Sequence, residues 1–174
     1  SGHKTLPVLT GGAYLHLGPK APVQEESTVR NALALFGSTS PSYLILQSLD
    51  ACNRLLSTDY PARLQECCDR LAALRARLNA LAAAQGAALP LALDGPAREP
   101  MKLTLDAAAL GLTGQALADH LRQNGMECEY ADPRYLVLMF TPANPPQDFE
   151  RLTSAVLHIV ENLTGPFPLP EKND

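Results

Sequence analysis

The sequence lacks the features that mark several large classes of protein. No apolar run approaches the roughly 20 residues that a helix needs to cross a bilayer, so we expect no membrane span. The formal net charge is -4, and without an excess of basic residues we expect neither nucleic acid nor an anionic membrane surface as a partner. The opening residues do not resemble a secretory signal, in which a positive charge precedes a longer apolar core. We therefore expect a cytoplasmic protein.

Common catalytic and metal-binding motifs are also absent. The sequence has no GxGxxG or GxxxxGK[ST] loop for a nucleotide, and no HExxH, GxSxG or CxxC motif. The four cysteines lack zinc-ligand spacing and have no histidine nearby, so we expect packed, reduced thiols and no metal. The cysteines are Cys52, Cys67, Cys68 and Cys128. Three histidines, His16, His120 and His158, are scattered along the chain and are expected to be structural.

The first third of the chain predicts a strand and two helices. A short strand is predicted at residues 13–17, after a Gly-Gly turn. Residues 29–36 have apolar side chains at helical spacing, and Gly37 ends that helix. Ser40 is the predicted N-cap of a second, buried helix, because Pro41 then takes the first helical position, where its missing N–H is harmless.

A long amphipathic helix is predicted from Pro61 to the glycine at position 86. Its apolar residues step by three or four and form one continuous stripe. Such a stripe packs more often against its own protein than against a partner, although both interpretations are open. The stripe consists of Leu64, Cys67, Leu71, Leu74, Leu78 and Leu81.

The last third of the chain predicts the order β-α-β-β-α. The segment MKLTLDA alternates as a strand, LTGQALADHLRQNG is a helix capped by Thr113, and MECEYA and YLVLMFT are two further strands. A final helix starts after Pro145-Pro146. This order describes a compact α+β domain with a small sheet covered by helices. The residues predicted to face inward from the final helix are Phe149, Leu152, Val156, Ile159, Val160 and Leu163.

Two short segments are candidates for chemistry. Residues 37–41, GSTSP, place hydroxyls and backbone N–H groups before a helix N-terminus, which suits an anion such as phosphate. Ordinary N-capping explains the same residues. Lys4 lies beside His3 and before an apolar, proline-containing segment, where desolvation would favour a neutral, nucleophilic amine. A lysine taken at random, by contrast, is solvated and structural.

Three ordered blocks of the sequence resemble the Orn/Lys/Arg decarboxylase family, whose members are fold-type I enzymes dependent on pyridoxal 5'-phosphate (PLP). SGHKTLPVLTGGAYLH is similar to the segment around the family's cofactor lysine, whose pattern is Ser-x-His-Lys. FGSTSPSYLILQSLDA resembles the family's Thr-Ser-Pro loop and the helix after it. EPMKLTL and GLTGQALADHLR resemble the start of the family's C-terminal domain.

The resemblance implies roles for individual residues. Lys4 would bind PLP covalently, and His3 would touch cofactor or substrate and help to move a proton. Ser1 would bind the cofactor phosphate through its hydroxyl. The segment Ser38, Thr39 and Ser40 resembles a cofactor-binding loop that family members present near the active site of the neighbouring subunit, which implies a homodimer or a higher homo-oligomer. Arg134 could clamp a substrate carboxylate through paired N–H donors, although an exposed arginine after an Asp-Pro turn is the simpler interpretation.

The resemblance also implies a fold and a function. The α/β chain would comprise the C-terminal end of a fold-type I PLP-binding large domain (residues 1–58), a long helix and linker (59–99), a small α+β domain (100–166) and a tail (167–174). Its reaction would be decarboxylation of a basic amino acid, arginine, lysine or ornithine, to a polyamine-type amine and carbon dioxide. We expect a fragment of such an enzyme that has little turnover alone. The alternative is a non-catalytic α+β assembly module with a vestigial lysine segment.

Overall fold

A computed structural model describes residues 2–23, 25–37, 39–95 and 98–162. The chain divides into two compact units, Ser1–Pro61 (unit 1) and Ala62–Asp174 (unit 2). The described elements are α1 (Glu26–Phe36), α2 (Tyr43–Leu56), α3 (Tyr60–Ala84), β1 (Lys102–Asp106), a 3-10 turn (Ala107–Leu110), α4 (Gly114–Gln123), β2 (Tyr130–Ala131), β3 (Tyr135–Met139) and α5 (Pro146–Asn162).

Unit 1 contains α1 and α2, and both predicted helices are confirmed. Helix α1 ends where predicted, because the N–H of Gly37 donates to the carbonyl of Leu33 (2.8 Å). The predicted start of the second helix is wrong. Ser42 rather than Ser40 occupies the N-cap position of α2, because its extended backbone keeps Pro41 and Ser42 outside the helix.

The strand predicted at residues 13–17 is wrong, since that segment has no regular structure. A strand is stable only when its N–H and C=O groups pair with a neighbouring strand. Within the described part of unit 1 no other segment is a strand. The β-rich composition of these residues therefore has no sheet to join there.

Unit 2 is built on a three-stranded antiparallel sheet in the order β1-β3-β2. Val137 in the middle strand is paired with Thr104 on one side and with Tyr130 on the other. Strand β2 has only two residues and is much shorter than the predicted MECEYA strand. On the outer side of β1, Ala92 forms a bridge with Leu105. The predicted order β-α-β-β-α is confirmed.

Helices α3, α4 and α5 cover one face of this sheet. In β1, Leu103 and Leu105 face inward and are fully buried, as the alternation of MKLTLDA predicts. The α3 stripe packs against its own protein, with Leu71 and Leu78 completely buried in the core that includes the sheet. Helix α5 contributes Phe149, Leu152, Ala155, Val156, Ile159 and Val160 to the same core; Leu163 lies outside the described residues.

Polar side chains of α3 attach the segment before β1 to the helix. The side-chain amide of Asn79 donates to the carbonyl of Ala92 (3.0 Å) and accepts from its N–H (2.7 Å). The buried guanidinium of Arg75 donates to the carbonyls of Pro100 and Lys102 (3.1 and 2.7 Å). These bonds satisfy backbone groups that the sheet leaves unpaired. Helix α3 and residues 91–92 therefore share one core with the small sheet, and a division at residues 58 and 99 stays a prediction.

Helix α4 begins as the sequence predicts. The hydroxyl of Thr113 accepts a hydrogen bond from the N–H of Ala116 (3.1 Å), which is an N-cap. The next residue, Gly114, lies so close to the carbonyls of Asp132 and Tyr135 that a β-carbon would collide with both oxygens. A glycine is thus required for the start of α4 to approach β3.

Three further features concern only the residues that the structure describes. None of their helices has both the length and the apolar character needed to span a bilayer. They contain no grouping of three His, Cys, Asp or Glu side chains suited to a metal ion. All four cysteines are free, and two of them, Cys52 and Cys67, are buried.

Candidate functional site

The segment that carries Lys4 forms a closed loop over residues 2–14, here named the Lys4 loop. The N–H of Gly2 donates to the carbonyl of Gly12 (2.9 Å), which joins the two ends. The N–H of Leu6 donates to the carbonyl of Gly2 (3.1 Å), so residues 3–5 form a tight turn. Val8 fills the inside of the loop and is 7% exposed.

Two adjacent glycines allow the loop to close. Gly11 has φ +98°, a left-handed conformation that favours glycine, and Ile45 of α2 lies against it. At Gly12, a β-carbon would collide with the side chain of Val8. The Gly-Gly pair is therefore explained by close packing of backbone around one buried valine.

Helix α2 holds the Lys4 loop through hydrogen bonds. The N–H of Leu9 donates to the hydroxyl of Ser48 (3.2 Å), and the phenol of Tyr14 donates to the carbonyl of Leu49 (2.9 Å). Partial burial and the neighbouring Cys52 thiol raise the pKa of Tyr14, which keeps the phenol protonated as a donor. The two hydrogen bonds thus attach the loop that carries Lys4 to a rigid element, helix α2.

The predicted cofactor-binding residues are presented by two segments of unit 1. His3 is half-buried and Lys4 exposed in the turn of the Lys4 loop. Burial of Lys4 is not seen among the described residues, and the predicted desolvation of its amine stays a prediction. Thr39 and Ser40 are exposed in the bend before α2. Ser1 and Ser38 lie outside the described residues.

These groups fit the chemistry of PLP, which carries an aldehyde and a phosphate. Lys4 is an exposed residue, and its primary amine is the group that reacts with an aldehyde. The hydroxyls of Thr39 and Ser40 can donate to phosphate oxygens. The Ser42 side chain makes no capping hydrogen bond to α2, so the N-terminus of α2 retains donors that suit an anion.

Arg134, the predicted substrate-binding residue, forms an ion pair within unit 2. Its Nη2 lies 2.8 Å from Oδ2 of Asp106, and its Nε lies 3.2 and 3.1 Å from the two carboxylate oxygens. The Asp106 side chain is 4% exposed and that of Arg134 is 48% exposed. The paired donors that would clamp a substrate carboxylate therefore already bind one, and the substrate role stays a prediction. Sequence analysis missed Asp106, which is separated from Arg134 by 28 positions.

Comparison with known proteins gives consistent results. The chain is 28% identical over 167 residues to an arginine decarboxylase of Bacillus subtilis strain 168, a match that covers 94% of this chain and 34% of the relative. It is 30% identical over 142 residues to the uncharacterised protein YaaO of the same organism, covering 80% of this chain and 28% of the relative. The chain thus spans about a third of the length of these relatives.

A solved structure shows the same fold. The structure of the constitutive lysine decarboxylase of E. coli superposes with a TM-score of 0.59 at 16% identity, over 80% of this chain and 25% of that one. The family model described as "Orn/Lys/Arg decarboxylase, major domain" matches residues 1–148. That match includes the Lys4 loop, both helices of unit 1 and the sheet of unit 2. The chain belongs to the Orn/Lys/Arg decarboxylase family.

Proposed function

We propose that this chain supplies the lysine-bearing part of a PLP-dependent decarboxylase acting on arginine, lysine or ornithine. The observation that carries the proposal is the Lys4 loop, which is closed by Gly2 and Gly12 and carries the exposed Lys4 in its turn. Its sequence lies within the region matched by the family model. Because the relatives are about three times as long as the match, further walls of the cofactor site would come from sequence that these 174 residues do not contain.

Each predicted site residue of unit 1 would have a distinct task in this proposal. Lys4 would hold the cofactor through its Nζ and release it to the substrate amine. His3, its direct neighbour in the turn, would help to move a proton to or from the reacting carbon. Ser1 would bind the phosphate, and Ser38, Thr39 and Ser40 would contribute hydroxyls to the cofactor site of the neighbouring subunit. PLP, when bound, supplies the electron sink that accepts the electrons of the breaking bond to the carboxylate.

The surface of unit 1 supports association with a further polypeptide surface, and we propose a homodimer or higher homo-oligomer. Exposed large apolar side chains are concentrated at the end of α1 and the start of α2, where Phe36 is 92% and Tyr43 is 83% exposed. Exposed apolar side chains of this size favour association in water where they form a patch. The same observation favours the second candidate function, a non-catalytic assembly module. Chemistry at Lys4 distinguishes the two candidates.

The experiment that tests the proposed function is reductive labelling. The full chain is incubated with PLP and reduced with borohydride, and the modified lysines are mapped by mass spectrometry. Selective labelling of Lys4 over Lys20 and Lys102 is expected if the Lys4 loop retains part of the cofactor site. The Lys4→Ala variant controls for nonspecific labelling. Equal labelling of all three lysines would contradict a cofactor site in this chain and would favour the assembly module.

Turnover is a separate expectation. A carbon dioxide release assay with each of the three basic amino acids should show little or no activity of the chain alone, because most walls of the cofactor site are proposed to lie elsewhere. Robust release would show that residues 1–174 suffice for catalysis and would overturn that part of the proposal.

A further inference from the structure

The face of the unit 2 sheet opposite the helices carries a shallow cleft of about 330 Å³. Its floor is formed by three neighbouring residues. Leu93 lies on the segment next to β1, Thr104 lies on β1 and Val137 lies on β3. Tyr130 and Tyr135 supply aromatic walls. A volume of this size is at the lower end of the range for small-molecule sites, which combine apolar walls with a few converging polar groups.

Opposite charges meet in this cleft. Asp132 accepts hydrogen bonds at Oδ1 from the N–H groups of Arg134 and Tyr135 (2.8 and 2.6 Å), which lower its pKa and keep it ionised. Its Oδ2 accepts only from the Tyr130 hydroxyl (3.2 Å) among the described groups, so a carboxylate oxygen retains capacity for a further donor. Arg98 lines the cleft, and the part of the chain described by the structure offers its exposed guanidinium no partner.

The neighbouring Arg134 and Asp106 bind each other and so are not available to bind a ligand in the cleft. Arg134 lies over the Tyr135 ring, 5.1 Å from its centroid, but its guanidinium is bound in a bidentate pair with Asp106. The charges available to a ligand are therefore one cation, Arg98, and one anion, Asp132. Tyr130, which is 54% exposed, offers a ring face that attracts a cation.

We propose that this cleft binds a small linear molecule with a carboxylate at one end and an ammonium or guanidinium at the other, as in a free basic amino acid. The carboxylate pairs with Arg98, the cation lies between the Tyr130 ring and Asp132, and the methylene chain covers Leu93 and Val137. The site is in unit 2 and requires neither Lys4 nor PLP. Binding at this cleft therefore does not depend on the proposed reaction.

Calorimetric titration of the full chain without PLP tests this site, with L-arginine as the probe. Two analogues each lack one end: agmatine has the guanidinium without the carboxylate, and norvaline has the amino-acid group without the guanidinium. Saturable binding of arginine is expected, with each analogue weaker by about tenfold or more, since hydrogen bonds to charged groups contribute on that scale.

Two variants assign the ends of the ligand. Arg98→Met should weaken arginine binding about tenfold but should not weaken agmatine binding, because agmatine has an ammonium in place of the carboxylate that Arg98 binds. Asp132→Asn preserves the Oδ1 acceptor of the turn and should weaken both arginine and agmatine but not norvaline. Arg122→Met, which removes an exposed arginine of α4 outside the cleft, is the matched control and should change nothing.

Three results would overturn the proposal. Absence of saturable arginine binding would show that the cleft holds no such ligand. Equal weakening of arginine and agmatine by Arg98→Met would show that Arg98 does not read the carboxylate. Loss of binding in Lys4→Ala would place the ligand at the Lys4 loop instead, and reductive labelling at Lys4 would still test the proposed function separately.

Discussion

The two units differ in how completely they bury their own apolar side chains. Unit 2 has a continuous core in which Leu71, Leu78, Leu103, Leu105 and Leu136 are fully buried. In unit 1 helix α1 has no buried residue, and among the residues that the structure describes, ten of the eleven exposed large apolar side chains belong to this unit. Because burial of apolar surface is the main driving force of folding, unit 2 contains its own source of stability. Unit 1 is organised around the Lys4 loop and leaves these apolar side chains exposed.

Core truncation should separate the units most strongly. Leu78→Ala removes a fully buried side chain from unit 2 and should lower the free energy of unfolding by about 2–5 kcal/mol. Leu35→Ala on α1, where the side chain is 80% exposed, is the matched control and should stay within about 0.5 kcal/mol. Urea unfolding followed by circular dichroism measures both. Equal losses would contradict the contrast between the units.

The ion pair of unit 2 comes next in expected size. Arg134→Met leaves the buried Asp106 carboxylate without its counter-ion, and we expect a clear decrease in the urea concentration at which the chain unfolds. Arg122→Met removes an arginine paired with the exposed Asp119 and Glu127 and should change that concentration little, because exposed pairs contribute little to stability. If both variants unfold at the same urea concentration, Arg134 is not the counter-ion on which Asp106 depends.

The Lys4 loop provides a matched pair of glycine substitutions. Gly12→Ala places a methyl group against Val8, whereas Gly18→Ala meets open space. We expect Gly12→Ala to destabilise the closed loop by about 1–2 kcal/mol. Since local opening governs proteolysis, trypsin should cleave after Lys4 roughly tenfold faster in this variant. Unchanged cleavage relative to Gly18→Ala would show that the loop is not held closed by the Gly12 contact.

The smallest expected effect is the pH dependence that Asp132 confers. Hydrogen bonds from the N–H groups of Tyr135 and Arg134 lower its pKa in the folded chain. Its contribution to stability is therefore present above the unfolded pKa, near 3.9, and is lost as the pH falls through the lower folded pKa. The difference in stability between the parent chain and Asp132→Asn should shrink below about pH 4. A difference that does not change between pH 7 and pH 3 would contradict this assignment.

Self-association of the chain should depend on the exposed apolar side chains of unit 1 and not on those of unit 2. Sedimentation velocity of the full chain is expected to show self-association, and a Phe36→Ser, Tyr43→Ser double variant should shift the distribution towards monomer. Tyr130→Ser, at the exposed aromatic of unit 2, is the control and should not. A clean monomer of the parent chain at high concentration would remove the support for the homo-oligomer.

Periodic patterns made most of unit 2 predictable from sequence. The α3 stripe, the alternation of MKLTLDA and the Thr113 cap depend on local spacing, and each is confirmed. The strand predicted at residues 13–17 failed because local β propensity needs a partner strand. Ser40 was assigned as a cap from its position before Pro41, whereas the backbone of Ser42 decides where α2 begins.

The candidate sites were predictable to different degrees. Lys4 and His3 follow from a contiguous motif, so resemblance alone indicated them. The Asp106–Arg134 pair and the cleft containing Arg98, Tyr130 and Asp132 depend on the strand register, which brings distant positions together. No spacing rule in the sequence predicts that register.

Hydrogen exchange of the dilute full chain, read by mass spectrometry, tests the contrast between the two units most directly. The account predicts that the amides of α1 exchange within seconds, because none of its side chains is buried. Those at residues 71–82 of α3 and 136–138 of β3 should exchange roughly a thousandfold or more slowly, since the unit 2 core must open before they do. Equal protection of α1 and α3 in a monomeric sample would contradict the account, because unit 1 would then be complete without a further surface.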